Sequence, residues 1–237
     1  MFRRKNVEPV EDDSYTGEQM SLHYDPSKMN VLLDLDNTLI NACEEDEMSL
    51  IPKQFAKNFE HFNFEGEYEI FGRPHLQEFL DFLFANFNVS VWTAAERSYA
   101  LFIIDKFLLT KPERKLHMFF YRHHVILGEQ RFQQTKDLRL LWEYLRVPNF
   151  WPCNTLIVDD LEDVQVANPF NTLAVHSFDM VAKKSEGEYV ANIDAVYDET
   201  LLKVKKFLEV MESDFHWACA ASGESFKPPL TTPKKFI

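Results

Sequence analysis

The stretch VLLDLDNTLI, residues 31–40, carries two aspartates, Asp34 and Asp36, one residue apart at the end of an apolar run. A second apolar run, NTLIVDD, also ends in two acids, Asp159 and Asp160. Side chains at i and i+2 of an extended chain point the same way, so Asp34 and Asp36 can face one reacting atom. A carboxylate nucleophile can take a phosphoryl group covalently and pass it to water. A second acid can protonate the leaving oxygen and later activate the water. Four carboxylates brought together repel one another and lose hydration. A divalent cation removes that conflict, and Mg²⁺ favours carboxylates, a backbone carbonyl, water and substrate phosphate. Thr93, closing the run NVSVWTA, and Lys136, in TKDL, add a hydroxyl donor and a positive charge suited to phosphate oxygens. Metal and lysine together neutralise charge on a transferring phosphoryl group.

These residues act together only if the fold brings them together. MNVLLDLD reads as a strand, apolar throughout as a strand covered on both faces should be. RPHLQEFLDFLFANF reads as a helix with Pro74 in its first turn and Leu76, Phe79, Leu80, Leu83 and Phe87 on one face. NVSVWTA is a second strand. ERSYALFIIDKFLL is a helix with Ala100, Ile103, Ile104, Phe107 and Leu108 on one side. KLHMFFYRHHVILGEQRF, two β-prone runs flanking polar positions, reads as a β-hairpin insertion. TKDLRLLWEYL is a helix, NTLIVDD and NTLAVHSF are strands, and DETLLKVKKFLEVMESDF is a closing helix. This alternation predicts an α/β fold: a Rossmann-like parallel sheet with helices on both faces and a small β insertion. In such sheets ligands bind beyond the carboxyl ends of the strands. Asp34, Asp36, Thr93, Asp159 and Asp160 all fall there.

Composition narrows the functional classes. The chain has 237 residues, 46% of them hydrophobic, with 22 Phe and 6 Gly, so a single aromatic-rich core is expected. A formal net charge of -13 opposes non-specific nucleic-acid binding and docking on an anionic membrane. A phosphate-bearing substrate must then be held by local positive charge. The odd, scattered cysteines Cys43, Cys153 and Cys219 argue against a disulfide framework. No uninterrupted apolar stretch approaches the roughly 20 residues of a membrane span, and the start lacks a secretory apolar core. A soluble intracellular protein is expected. Residues 1–27 read as a flexible acidic arm, 28–215 as the folded domain and 216–237 as a loose tail.

Taken in order, DLDNTL, WTAA, Lys136 in TKDL, and VDD resemble the four motifs of the haloacid-dehalogenase superfamily of phosphotransferases. The nearer resemblance is to the Fcp/Scp-type CTD phosphatases, the NLI-interacting-factor-like family. It runs from about Met29 to Phe178, and more loosely through the last helix, on RPHLQEFL, VWTAAERSYA, FFYRHH and NPFNTLAV. The resemblance implies an HAD-like domain without a large cap and a Mg²⁺-dependent protein phosphatase. It implies Asp34 as the nucleophile and Asp36 as general acid and base, with the Asp36 carbonyl also on the metal. Thr38 and Thr93 would contact phosphate, and Lys136 would pair with the phosphoryl group and Asp34. Asp160 would ligate the metal directly, with Asp159 in support, and Arg122 would lie near the substrate phosphate. The family's substrate class is phosphoserine-proline repeats in the tail of RNA polymerase II, which places the protein in the nucleus or cytoplasm. Compact relatives occur in large DNA viruses, including iridoviruses. Departures are Asn37, where the commonest form has Glu pointing away from the chemistry, and an Asp-Asp pair as in the Fcp branch without that branch's BRCT domain. The less familiar segment Ile40–Gly72 leaves peptide specificity open, and no sequence feature sets the oligomeric state.

Plainer readings compete. Alone, Asp159 and Asp160 cap a helix, Thr93 is an ordinary strand residue, and Lys136 is a solvated lysine. Arg122 divides evenly between substrate contact and a surface ion pair. His123 and His124, adjacent on a strand, point to opposite faces and do not share a metal. Asp163 is an exposed helical acid, and Trp142 and Trp151 are core residues. The rival functions are an enzyme of the same superfamily acting on a small-molecule or nucleic-acid phosphate, and a non-catalytic phosphopeptide-binding module.

Overall fold

The computed structural model describes residues 18–20, 24–184 and 188–222, side chains excepted at 18, 19 and 213–222. The strands are β1 (Glu18–Gln19), β2 (Asn30–Leu33), β3 (Ile40–Cys43), β4 (His61–Phe64), β5 (Tyr68–Gly72), β6 (Asn88–Trp92), β7 (Met118–Phe120), β8 (Thr155–Asp159), β9 (Thr172–Ala174), β10 (Val181–Lys183) and β11 (Tyr189–Ala191). The helices are α1 (Glu45–Leu50), α2 (Lys53–Ala56), α3 (Leu76–Asn86), α4 (Arg97–Ile103), α5 (Arg122–Phe132), α6 (Glu162–Ala167) and α7 (Thr200–Ser222).

The central sheet has the order β1-β7-β6-β2-β8-β9. All neighbours are parallel except β1, which runs antiparallel along β7. Every residue of β2, β6, β7 and β8 is buried, as parallel strands covered by helices require. Alternate side chains feed two cores. Val31, Leu33, Val89, Val91, Phe119 and Val158 pack with the inward faces of α3, α4 and α7. Leu32, Trp92, Phe120 and Ile157 pack with Val125, Leu141 and Val164 on the other side. The expected faces of α3 and of the helix after β6 are buried, although that second helix continues past α4 as a π-helical turn, Ile104–Leu108.

The chain leaves β2, builds β6 and β7 to one side, then returns to place β8 and β9 on the other. The direction of winding therefore reverses at β2, and in such sheets ligands bind beyond the carboxyl ends of the strands at that reversal, here β2 and β8.

Four expectations are corrected. The hairpin expected over KLHMFFYRHHVILGEQRF is absent: β7 joins the central sheet, and Arg122–Phe132 is helical. Tyr121 and His124 start that helix, the Tyr121 N–H donating to His124 Nδ1 at 3.2 Å, and Val125 and Leu127 turn inward. This local arrangement overrides the strand preference of Val125 and Ile126. His123 and His124 accordingly lie on a helix. The β insertion does exist, but between β2 and α3. It is a sheet of order β3-β5-β4, whose β4–β5 connection, residues 65–67 between the facing pair Phe64 and Tyr68, has positive φ at Glu65 (53°) and Gly66 (81°). Pro74 precedes α3 and is not in its first turn, because His75 caps the helix at φ 65°. The helix expected over TKDLRLLWEYL is reduced to a π-helical turn, Leu140–Tyr144. Trp151, expected in the core, is 55% exposed, in a turn where its N–H donates to Asn154 Oδ1 at 2.9 Å.

Of the acidic arm expected over residues 1–27, residues 1–17 and 21–23 lie outside the described residues, as does the tail from 223 on. No helix among the described residues is long and apolar enough to cross a membrane.

Candidate active site

Strand register brings the first acids level. Leu33 of β2 lies opposite Val158 of β8, and the Asp34 N–H donates to Val158 O at 3.0 Å. Asp34 therefore falls beside Asp159, the last residue of β8. Lys136 comes in from the loop after α5 and lies between them, its Nζ 2.6 Å from Asp34 Oδ1 and 2.7 Å from Asp159 Oδ2. All three side chains are buried. Lys136 sits at φ 43°, a backbone region uncommon for residues other than glycine. Asn168 holds this loop: its Nδ2 donates to Lys136 O (3.0 Å) and its Oδ1 accepts the Leu138 N–H (2.9 Å).

The other acids are fixed as specifically. Asp159 Oδ1 accepts the Leu161 N–H at 2.9 Å, so both its oxygens are engaged. Asp160 Oδ1 accepts the Thr38 hydroxyl at 3.1 Å. Asp36 Oδ1 accepts the Tyr99 hydroxyl at 2.7 Å. Buried Thr93 turns back on its own loop, its Oγ1 accepting the Ala95 N–H at 3.1 Å. The Asn37 side chain lies away from the acids, at φ 59°, and donates to Asp179 Oδ1 at 2.7 Å. It ties the loop after β2 to the segment that follows β9. Arg73 supports the same loop from below. Its Nη1 donates to Thr38 O (2.9 Å), while Nε and Nη2 grip the two oxygens of Asp198 (3.0 and 2.8 Å).

Sequence reasoning assigned no role to Tyr99, Asn168 or Arg73. Each lies inside a stretch quoted for its family resemblance, but only the tertiary structure shows what it touches. Arg122 is set differently from the other expected residues. It opens α5, its N–H donates to Ala95 O at 3.0 Å, and its guanidinium pairs with exposed Glu96 at 3.1 Å. Asp163 is exposed, as expected.

The electrostatics are those of an anionic cluster with too little positive charge. Burial pushes the Asp36 carboxyl up to about 6, against the opposing Tyr99 hydrogen bond. Burial, then the charge of Asp34, pushes Asp159 up to about 7 despite Lys136. Asp160 is raised for the same first two reasons. Lys136 is desolvated, yet Asp34 and Asp159 more than offset that and hold its ammonium above the ordinary value. One oxygen each of Asp34, Asp159 and Asp160 lies within 4.8 Å of the others. Hard carboxylate oxygens crowded together at a buried site suit a divalent cation.

Residues 29–216 match the family model of the NLI interacting factor-like phosphatases. A CTD phosphatase-like protein, 355R, of Invertebrate iridescent virus 6 is 38% identical over 185 residues, 76% of this chain and 96% of that protein. Its counterpart in Invertebrate iridescent virus 3 is 38% identical over 195 residues, 78% of this chain and 97% of that one. The structure of Fcp1, an essential RNA polymerase II CTD phosphatase, matches with a TM-score of 0.62 over 86% of this chain and 69% of that chain. With 16% identity, that likeness is one of fold. On the family match across most of its length, the chain belongs to the NLI interacting factor-like phosphatases, enzymes with the HAD-like fold.

Proposed function

We propose that this enzyme is a Mg²⁺-dependent phosphoserine and phosphothreonine protein phosphatase that works through an aspartyl-phosphate on Asp34. The observation that carries this reading is the Lys136 ammonium lying between Asp34 and Asp159 at the carboxyl ends of β2 and β8, with Asp160 in the same cluster. Asp34 Oδ attacks phosphorus, and the bond from phosphorus to the substrate oxygen breaks as Asp36 gives that oxygen its proton. Water then attacks the phosphorus and gives a proton to Asp36, the bond to Asp34 breaks, and phosphate leaves. The raised carboxyl of Asp36 fits a group that must carry a proton and then lose it.

Lys136 fixes Asp34 and shares the charge of the incoming phosphoryl group. Thr38 and Thr93 supply hydroxyls to its oxygens, and Arg122, released from Glu96, is the proposed guanidinium for the substrate. Asp34, Asp160 and the Asp36 carbonyl are the proposed metal ligands. Asp159, occupied by Lys136 and the Leu161 N–H, supports them. When bound, Mg²⁺ supplies positive charge against the transferring group. Residues 28–215 form the proposed catalytic domain. A phosphorylated protein tail such as that of RNA polymerase II, in nucleus or cytoplasm, is the proposed substrate.

The test is phosphate release from phosphoserine-proline peptides of the polymerase tail, with Mg²⁺ and with EDTA, by wild type and Asp34→Asn. Metal-dependent release lost in the variant supports the mechanism. Turnover of an aryl phosphate alone discards the polymerase tail, and no turnover of any substrate discards the proposed activity.

A further inference from the structure

The reaction proposed above requires the Asp36 carboxyl to hold one orientation while it gives up and regains a proton. Asp36 lies past the end of β2, where its backbone makes an isolated bridge to Ile40. The side chain bonded to it is Tyr99, whose hydroxyl donates to Asp36 Oδ1 at 2.7 Å. Tyr99 belongs to α4, and its ring is gripped by the insertion. Phe64 meets it edge-on at 5.3 Å and 87°, and Tyr68 at 6.2 Å and 70°. Phe64 and Tyr68 are a facing pair on either side of the β4–β5 turn. The hairpin is itself anchored along the same helix: Phe64 packs on Phe102 at 5.0 Å, and Phe62 packs on Phe107 at 5.1 Å. A continuous path of rigid rings thus runs from the insertion, through Tyr99, to one carboxylate oxygen.

We infer that Tyr99 is a positioning residue for Asp36, and that the β4–β5 hairpin, through Phe64 and Tyr68, sets its orientation. The insertion then has a part in the chemical step as well as standing beside it. This inference rests on the proposed phosphatase reading.

The two steps of proton delivery and nucleophilic attack separate by leaving group. A serine oxygen leaves as a poorly stabilised alkoxide unless Asp36 protonates it. A nitrophenolate leaves as a stable anion and needs little help. Loss of Asp36 orientation therefore slows the first reaction selectively. A general loosening of the site disturbs Asp34 and Lys136 as well, and slows both.

The experiment compares wild type, Tyr99→Phe and Phe64→Leu, each as the full chain with Mg²⁺, on a phosphoserine peptide and on p-nitrophenyl phosphate. Single-turnover release of the leaving group isolates transfer to Asp34 from the later hydrolysis, in which Asp36 serves both substrates alike. Tyr99→Phe is expected to slow release of the serine peptide by at least about 10-fold and of nitrophenolate by less than about 3-fold, since general acid catalysis matters only for the first. Phe64→Leu is expected to show the same selectivity with a smaller loss. Equal losses on both substrates, or no loss on the peptide, overturn the inference while leaving the phosphatase reading intact. A wild type inactive on both substrates overturns that reading, and the inference with it. Tyr99→Phe keeps the ring and its packing, so it decides the role of Tyr99, and Tyr68→Leu, on the other contact to that ring, decides the role of the hairpin if Phe64→Leu does not fold.

Discussion

At the residue scale, the cluster shows how burial, repulsion and hydrogen bonding divide work among acids of one chemical type. Asp34 has Lys136 on one oxygen, Asp159 has both oxygens occupied, and Asp36 faces a phenol. Asp34→Asn removes the proposed nucleophile while keeping its volume. Turnover is expected to fall by at least about 10³-fold with the melting temperature nearly unchanged, measured by phosphate release and by calorimetry. Lys136→Met leaves two buried carboxylates without their cation, an arrangement that costs about 3–5 kcal/mol when one partner of a buried pair is removed. Asp159 is already pushed up to about 7, and losing the lysine raises it further. A proton then replaces the missing charge as pH falls. The penalty is therefore expected to be larger at pH 8 than at pH 6, read from urea midpoints of the metal-free protein.

At the scale of elements, two polar clamps hold the site loops against the sheet. The first joins the end of β5 to the start of α7 through Arg73 and Asp198. Burial alone would raise Asp198, but the Arg73 hydrogen bonds and charge, with the Thr200 N–H, outweigh it and hold the carboxyl below its ordinary value. A depressed carboxyl contributes stability above its unfolded pKa, and that contribution is lost as pH falls through the folded one. Asp198→Ala is expected to cost about 2–4 kcal/mol at pH 7, since it strands buried Arg73. Its gap to wild type should narrow below about pH 4, where the unfolded carboxyl takes its proton. Urea titrations across that range check both parts. The second clamp is Asn168, which holds the Lys136 loop from the α6–β9 connection. Asn168→Ala leaves a buried carbonyl and a buried N–H unsatisfied, so a loss of about 1–3 kcal/mol is expected in the same measurement. A reduced kcat should accompany it, because Lys136 is then no longer held in its left-handed conformation.

Across the whole molecule, a net charge of -13 surrounds a site whose substrate is anionic. Encounter is therefore opposed by the overall field and favoured only locally, by Lys136 and the proposed metal. Screening shortens the range of that repulsion. kcat/KM for a phosphopeptide is expected to rise as ionic strength increases from about 10 to about 150 mM. A neutralised or lysine-rich peptide should show a weaker rise or a fall, and initial rates with the two peptides in a salt series make the comparison.

The sequence by itself determined the fold class and the family. Paired acids closing apolar runs, with the inward faces of α3 and α4, were legible because strand and helix periodicity are local properties. The parallel sheet followed from their alternation. Only the tertiary structure decided the rest. Local preference misread KLHMFFYRHHVILGEQRF as a hairpin, because docking against the sheet and the Tyr121–His124 start favour a helix over the strand preference of Val125 and Ile126. The real hairpin, around Glu65 and Gly66, lies in the less familiar segment Ile40–Gly72, to which no element was assigned from sequence. Arg73 and Asp198 lie 125 residues apart, and Asn168 lies 32 from the Lys136 carbonyl it holds. Tyr99 and Asp36 meet across 63. Such hydrogen bonds depend on how finished elements pack, and no spacing along the chain encodes them.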